Sequence, residues 1–326
     1  LSPSQRAQAE TYKNSFKGPS SQSQTTGKLR GNLALGFRYD DNAGNALADT
    51  IFTFANQDDT AAFLEANLRY SAPMGTNGLK FNAGANGQVR RQNKFSNADY
   101  DAFGIRAGFS GKLSDSLLWN ADALGNQVNI SGDKYLSQIG GRLVLKKAMS
   151  KQTGLWLRGT WVDQSHDDLS FTTGEPLRDG DKIALTAGII QTYGIGSHWG
   201  ASIGLEDKKA KNAAFAYDGI RANVRFHNAF ENGVYAKGRG TYRNIKYDGP
   251  SFNNPTPTRR KDDHWAGYLA VGTSHSNIGS WLGMGENPSL EKFSIETGVN
   301  YVDRSSNHPA LRYENFGVQS KLIWNF

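Results

Sequence analysis

Apolar and polar residues alternate along most of the chain, and the alternation is clearest in the last twelve residues, NFGVQSKLIWNF. The apolar positions of one face are Phe316, Val318, Leu322, Trp324 and Phe326. The opposite face is polar. The pattern has two exceptions, Ser320 on the apolar face and Ile323 on the polar face. A period of two over this length predicts a β-strand that is long enough to cross a bilayer when tilted.

The same alternation begins at Leu29 and predicts about fourteen strands. In the first of them, for example, Leu35 and Phe37 alternate with Gly36 and Arg38. The predicted strands cover residues 29–39, 61–72, 79–90, 101–112, 117–128, 135–147, 154–164, 183–193, 199–208, 214–227, 233–246, 264–275, 291–303 and 312–326. An even number of strands is what single-chain bacterial outer-membrane barrels require.

The connections between the predicted strands differ in length in a regular way. Those after even-numbered strands are short: residues 74–78, 114–116, 150–153, 195–198 and 231–233. Those after odd-numbered strands are longer and more polar: residues 40–60, 91–99, 165–182, 247–263 and 304–311. One connection, 276–290, is long where a short one is expected. The asymmetry is typical of outer-membrane barrels with short periplasmic turns and long extracellular loops, and it predicts that both termini are periplasmic.

Composition agrees with this fold class. The chain has 326 residues, a mean hydropathy of −0.59 and no apolar run of the length that a transmembrane helix needs. A polar average is compatible with a barrel, because only every second residue of a barrel strand meets lipid. Aromatic residues lie near predicted strand ends, where an interfacial girdle needs them: Tyr39, Tyr70, Trp119, Trp161, Trp199, Trp265 and Trp324. We therefore predict an all-β fold, a closed antiparallel transmembrane β-barrel of about fourteen strands. A soluble sandwich is the alternative, but a long row of soluble strands would have edges to protect.

Residues 1–27 differ from the rest and are predicted to form a periplasmic N-terminal leader, whereas residues 28–326 form the barrel. Ser2 and Pro3 could cap a short helix over Gln5 to Phe16, followed by a Ser/Gln/Gly linker. The leader could equally be a plug, the tail of a larger N-terminal part, or a disordered segment. Because no Met and no signal peptide precede Leu1, we expect a processed or trimmed product in the bacterial outer membrane.

The net charge of +7 and the pI near 9.4 are explained largely by the face of the strands that is predicted to point inward. The candidate lumen and substrate-path residues are Arg30, Arg38, Arg69, Lys80, Arg90, Arg106, Arg142, Arg158, Arg221, Arg225, Lys237, Arg239 and Arg243, with Lys112 and Lys146 on the same face. The acidic residues predicted there are chiefly Glu65, Asp122, Glu206 and Glu296. An excess of basic over acidic side chains of roughly four to one would raise the concentration of anions inside a narrow lumen. The alternative is that these residues are wall residues, paired across strands or with an inserted loop.

Trp324 and the terminal Phe326 resemble the closing strand of Gram-negative outer-membrane barrels, which the barrel-assembly machinery reads. The expected partners are therefore that machinery, outer-membrane lipid and lipopolysaccharide, and a possible periplasmic protein. Nucleic acid is not expected as a partner, because the basic residues alternate along strands and do not line an aromatic groove. No cofactor is expected.

Three short motifs carry a family resemblance: GNLALGFRYDDNAGNA at 31–46, RRKDDHWAG at 259–267 and SNHPALRYENFGVQSKLIWNF at 306–326. They resemble the C-terminal barrels of the surface lipoprotein assembly modifier family, a porin-like family whose barrels are associated with tetratricopeptide domains. The resemblance spans residues 28–326 loosely and implies a fourteen-stranded barrel. It also implies a secretion or assembly function with a periplasmic partner. Related barrels in polysaccharide export share the architecture.

An enzyme is the third class considered, because two predicted loops place His beside carboxylates. These are His166 with Asp163, Asp167 and Asp168, and His264 with Asp262 and Asp263. His–Asp chemistry at the extracellular rim is sterically conceivable, but charged, solvated loops explain the same residues, and no spacing matches a metal site. The sequence favours a non-enzymatic outer-membrane channel for diffusion or export of anionic solutes or polymers. The alternatives are the assembly factor and, more remotely, an outer-membrane hydrolase.

Overall fold

The computed structural model describes residues 27–43, 57–75, 78–170, 172, 174–231, 233–251, 258–274, 277 and 292–326. The strands are β1 (Lys28–Asp40), β2 (Asp59–Met74), β3 (Leu79–Gln92), β4 (Tyr100–Lys112), β5 (Leu117–Ile130), β6 (Asp133–Ala148), β7 (Thr153–His166), β8 (Gly180–Gly194), β9 (Ser197–Lys208), β10 (Tyr217–Ala229), β11 (Val234–Tyr247), β12 (Lys261–Ser274), β13 (Phe293–Ser306) and β14 (Tyr313–Asn325). The leader helix predicted over Gln5 to Phe16 and most of its linker lie outside the described residues.

The fourteen strands form one closed barrel in which every strand is antiparallel to its two neighbours. The barrel closes where β1 pairs with β14, from Asn32 opposite Asn325 to Asp40 opposite Gly317. The predicted fold class is confirmed, and each predicted strand corresponds to one observed strand. Most observed strands are longer than predicted, because pairing continues through polar end residues that carry no alternation signal.

The alternation of the sequence becomes a division between two faces of the barrel wall. Large apolar side chains on the outer face are exposed, for example Phe37 (70%), Ile139 (73%), Ile203 (61%) and Val224 (60%). Their neighbours along each strand point inward and are more polar. Because residues opposite each other in adjacent strands share a face, the hydrogen-bonded register fixes these orientations around the whole barrel.

The two ends of the barrel have different connections. At one end, which we call the turn end, β2 and β3, β4 and β5, β6 and β7, β8 and β9, and β10 and β11 are joined by turns of two to four residues. At the other, the loop end, most connections are longer, as the sequence predicts. An exception is the two-residue turn at Ser131 and Gly132, where both φ angles are positive (53° and 87°), as a tight hairpin requires. The first residue of β1 and the last of β14 both lie at the turn end.

The described residues contain little helix. Three short 3₁₀ turns, Ser96–Ala98, Glu175–Arg178 and Pro309–Leu311, all lie at the loop end. Within the described part of the chain, no helix has the length and apolar character needed to cross a membrane.

Candidate functional site

The register places the thirteen candidate basic residues on the inward face of the barrel. Several of them lie directly opposite one another in adjacent strands, where like charges are destabilising. These cross-strand pairs are Arg30 with Arg69, Arg221 with Arg243, and Arg225 with Arg239. The inner wall therefore brings like charges together at three places in the hydrogen-bonded register.

Two of these residues, Arg221 and Arg243, share a single buried carboxylate, Glu206 on β9. Its oxygens lie 3.0 Å from Nε of Arg221, 2.8 Å from Nη2 of Arg243 and 3.2 Å from Nζ of Lys182. Arg243 also donates a hydrogen bond to the hydroxyl oxygen of Tyr217 at 2.6 Å. Three cations around one carboxylate leave this cluster with a net positive charge.

A second inward carboxylate, Glu296 on β13, is the centre of what we call the Glu296 network. It is almost completely buried and lies 2.5 Å from Nζ of Lys237 and 3.7 Å from Nζ of Lys321. The hydroxyls of Tyr235 and Tyr268 donate to it at 2.9 Å and 2.7 Å. Lys321 continues the network to Glu65 at 3.0 Å. The two lysines and two glutamates balance, so this part of the wall is electrically neutral.

Wall pairing is therefore more extensive than the sequence predicts. The pair of Arg142 with Asp122 and the pair of Arg38 with Asp40 are two further examples. Asp40, like the buried Asp262 that binds Arg260, is absent from the predicted acidic residues. The sequence also missed Lys182 and Lys321 as lumen residues. Lys182 lies one residue before the predicted start of its strand, whereas the alternation of β14 already placed Lys321 on the polar face.

Other inward basic residues have no carboxylate partner. We define the unpaired set as Arg69, Arg106, Lys146, Arg158 and Arg225, none of which forms an ion pair within the described part of the chain. Lys80, Arg90 and Arg239 likewise form none with a described residue. Lys146 of β6 lies within electrostatic range of Arg69 of β2, Arg106 of β4 and Arg225 of β10. Positive charges from separate parts of the wall thus converge on one region of the lumen.

A cavity of about 490 Å³ lies along the inner wall between β5 and β11. Its basic lining residues are Arg142, Arg158, Lys182, Arg221, Arg225 and Arg239, and Glu206 is its acidic one. Neutral polar residues complete the lining: Asn126, Gln138, Thr160, Gln164, Thr186, Ser202 and Asn223. The volume falls within the range of small-molecule sites, and the lining offers many hydrogen-bond donors to an anion.

Arg158 is held in this cavity by an aromatic platform that sequence reasoning did not single out. Its guanidinium carbon lies 4.8 Å from the centroid of the Trp156 ring. The other side of that ring rests against Gly188, where an added Cβ would lie 2.5 Å from ring atoms. The spacing of Trp156 and Arg158, two apart on one strand, is the signal that could have identified the stack.

At the loop end, connecting segments pack against the barrel wall and bind to one another. Leu169 packs with the buried Ile130 and Tyr135 of the inward face. Main-chain hydrogen bonds link segment 167–179 to segment 209–216, with Asn212 N donating to Leu177 O at 3.0 Å. Segment 209–216 is linked in turn to residues 248–249. These described loop segments therefore form one connected layer at the loop end.

Two carboxylates in this layer titrate differently. Burial raises the pKa of Glu175, although Arg178, whose Nη1 lies 3.4 Å from Oε2 of Glu175, partly opposes the increase. Burial acts in the same direction on Asp179, but the net pKa of Asp179 is lowered by stronger opposing hydrogen bonds. Lys211 Nζ donates to it at 2.9 Å and the main-chain N of His166 at 2.6 Å.

The two His-containing clusters lie at the loop end, as expected, but neither has the geometry of a catalytic triad. Ser306 Oγ donates to Asp262 at 2.7 Å, and His264 Nε2 lies 3.8 Å from the same carboxylate. The hydroxyl therefore bonds to the acid and not to the imidazole, which is the reverse of what nucleophile activation needs. His166 packs against the ring of Tyr135, with Asp179 3.5 Å from its Nδ1. The described residues contain no group of three side chains suited to a metal ion.

No protein-family model and no curated protein matches the chain. Among solved structures, it is similar to OccAB4 of Acinetobacter baumannii, with 10% identity, a TM-score of 0.40, and coverage of 94% of this chain and 99% of that one. It is also similar to the outer membrane protein OprD from Pseudomonas aeruginosa, with 8% identity, a TM-score of 0.42, and coverage of 95% of this chain and 97% of that one. A third similar structure is the Pseudomonas putida toluene transporter TodX, with 11% identity, a TM-score of 0.40, and coverage of 97% of this chain and 93% of that one. Similarity this low does not indicate what the barrel does. None of these three is a surface lipoprotein assembly modifier.

Proposed function

We propose that the protein is a channel of the bacterial outer membrane that passes or exports anionic solutes or polymers through a basic lumen. The observation that carries the proposal is the combination of an apolar outer face with a cavity lined by six basic residues and one acidic residue. Selection would come from the width of the lumen and from the field of its inward Arg and Lys residues. Neither catalysis nor nucleic-acid binding is part of this proposal.

The outer face supports a location in a bilayer. Its apolar side chains are continuous around the barrel and would be an aggregation surface in water. Aromatic residues on this face lie near both ends of the strands, with Tyr39, Trp161 and Trp265 towards the loop end and Tyr70, Trp199 and Trp324 towards the turn end. Such girdles fit the two interfaces of a membrane. On this proposal lipid and lipopolysaccharide cover the outer face, and the turn end with both barrel termini is periplasmic.

The test is the reversal potential of single barrels in a planar bilayer under a salt gradient. We expect a stable, anion-selective conductance. The variant Arg225→Gln/Arg239→Gln removes an unpaired cross-strand arginine pair and should lower the selectivity. Arg91→Gln is the matched control, since Arg91 lies on the outer face and pairs there with Asp101. A cation-selective barrel, or equal effects of the inner and outer variants, would contradict the proposal.

The connected layer of loops at the loop end favours a second candidate, an assembly factor of the surface lipoprotein assembly modifier type. Leu169 of this layer packs with Ile130 and Tyr135 of the inward face, and main-chain hydrogen bonds join the described loop segments. A barrel of this kind works with a periplasmic partner and does not need to conduct. A protein that inserts into bilayers but remains silent, and that retains a periplasmic protein on purification, would favour the assembly factor over the channel.

A further inference from the structure

The charge of the unpaired set has no fixed counter-charge in the described wall. Arg158 lies within electrostatic range of Arg142, Arg225 and Arg221 as well as near the Trp156 platform. The carboxylates closest to this region, Asp122 and Glu206, are already engaged by Arg142 and by the three cations around Glu206. Several positive charges therefore share a small volume without enough negative charge, and mobile anions must balance them.

Arg158 is the best organised of these residues. Its guanidinium carbon lies over the ring of Trp156, and the guanidinium carries five N–H groups that can act as hydrogen-bond donors. Those N–H groups make no hydrogen bond to any residue that the structure describes, and Arg158 lines the cavity. The planar fork of a guanidinium matches the paired oxygens of a phosphate, sulfate or carboxylate group. The stack thus presents a preoriented oxyanion donor.

The number of charges indicates the valence of the ligand. A monovalent anion could contact one or two members of the unpaired set and would leave the remaining repulsion in place. A ligand with several anionic groups could contact Arg158, Arg225 and Arg239 together, all of which line the cavity, and would relieve more of it. The cavity of about 490 Å³ is large enough for such a ligand, and its amide and hydroxyl side chains can bind the remaining oxygens.

We propose that this cavity is a binding site for polyvalent oxyanions, with Arg158 as the main contact and Trp156 as the residue that positions it. The inference rests on the proposed function, because it names the class of anion that the lumen recognises. It assigns recognition to Arg158 and Arg225, the two members of the unpaired set that line the cavity, and not to the inward basic residues as a whole.

Binding is tested by titration calorimetry of the detergent-solubilised barrel with sodium tripolyphosphate, with citrate as a second arm that separates phosphate from carboxylate recognition. Saturable binding of at least one of the two at a concentration far below that of the chloride present is expected. Arg158→Gln should weaken it by about tenfold or more, as expected for a lost hydrogen bond between charged groups. Trp156→Leu keeps the charge and should weaken it less, by roughly threefold. Arg91→Gln on the outer face should have no effect.

The outcomes separate this inference from the channel proposal. Binding that Arg158→Gln does not weaken more than Arg91→Gln would overturn the assignment, as would a failure of both polyvalent anions to bind. An anion-selective conductance without polyvalent binding would leave the channel standing and remove this site. Binding to a barrel that is silent in bilayers would retain the site and remove the channel. If Trp156→Leu binds like the unchanged protein, Trp156 has no positioning role.

Discussion

The Glu296 network and the cavity between β5 and β11 are built from the same residue types on the same inner wall, yet they differ in net charge. In the network, Lys237 and Lys321 share Glu296 and Glu65, and two tyrosine hydroxyls satisfy the remaining oxygen positions. In the cavity, Glu206 is surrounded by three cations, and Arg158 and Arg225 have no acidic partner among the described residues. One region uses its charges to hold strands together, and the other keeps them available.

The difference shows that a count of inward charges does not describe the field inside a barrel. A lysine that is neutralised within 3 Å contributes little to the potential felt by a passing ion, whereas an unpaired arginine contributes nearly all of its charge. The field of this lumen should therefore originate mainly from the unpaired set and from the excess cations around Glu206. Changes in the two regions should affect different properties, namely stability in the network and selectivity in the cavity.

The largest expected effect is on stability, from Glu296→Gln. The substitution removes the buried carboxylate that both Lys237 and Lys321 approach, and leaves only Glu65 to balance the two lysines. Breaking a buried ion pair in this way typically costs about 3–5 kcal/mol. The midpoint of urea unfolding in lipid vesicles should fall accordingly.

Glu314→Gln is the matched control for this measurement. Glu314 accepts a hydrogen bond from Tyr301 at 2.8 Å on the exposed outer face, where such contacts contribute little. Similar unfolding midpoints for the two variants would show that the Glu296 network does not hold the wall together.

The next effect is smaller and concerns selectivity. Asp122→Asn removes the carboxylate of the Arg142 pair and so adds one uncompensated charge to the lumen. The permeability ratio of anion to cation should rise roughly five- to tenfold, because a unit charge about 7 Å away lowers the energy of an anion and raises that of a cation by about 0.6 kcal/mol each in water. Reversal potentials in a salt gradient measure this ratio.

The double variant Asp122→Asn/Arg142→Gln should return the ratio to its original value, since the pair is then removed without a change in net charge. Asp101→Asn disrupts the equivalent pair with Arg91 on the outer face and should leave the ratio unchanged. A decrease in anion selectivity for Asp122→Asn alone would contradict the view that pairing controls the field.

The fold could be predicted from the sequence because it depends on a local signal. In β1, Leu35, Phe37 and Tyr39 alternate with Gly36 and Arg38, and a period of two survives whatever the neighbouring strand contains. Connection lengths then distinguished the turn end from the loop end. The two-residue turn at Ser131 and Gly132 was less visible, because a bulge at Tyr135 interrupts the alternation of β6 just after it.

Whether each inward charged residue forms an ion pair could not be predicted in the same way. Whether Arg142 is paired depends on Asp122 lying directly opposite it across β5 and β6, which is a matter of register. The contact of Lys321 with Glu65 joins residues 256 positions apart in the chain and exists because the barrel closes between β1 and β14. The folding of segment 167–179 onto Ile130 and Tyr135 is equally non-local. The sequence therefore indicated a basic lumen but not which charges remain available.

The smallest expected effect is a pH dependence of the loop layer, which has no bearing on the fixed charges of either wall region. Because burial raises the pKa of Glu175 in the packed loop, packing favours its protonated form. Segment 167–179 should be most firmly packed below the usual pKa of glutamate and should loosen as the pH rises through the raised value. The hydrogen-exchange protection factors of this segment, which are corrected for the intrinsic pH dependence of exchange, should differ between pH 5 and pH 7.5 by no more than about tenfold, since one hydrogen bond contributes about 0.5–1.5 kcal/mol. Other charged or titratable groups lie in or beside this segment, namely His166, Asp168, Arg178 and Asp179. The contribution of Glu175 is therefore isolated by comparing the unchanged protein with Glu175→Gln, in which this part of the pH dependence should vanish. Glu231→Gln, at the exposed turn end, should retain it, and an unchanged pH dependence in Glu175→Gln would assign the effect to the other groups.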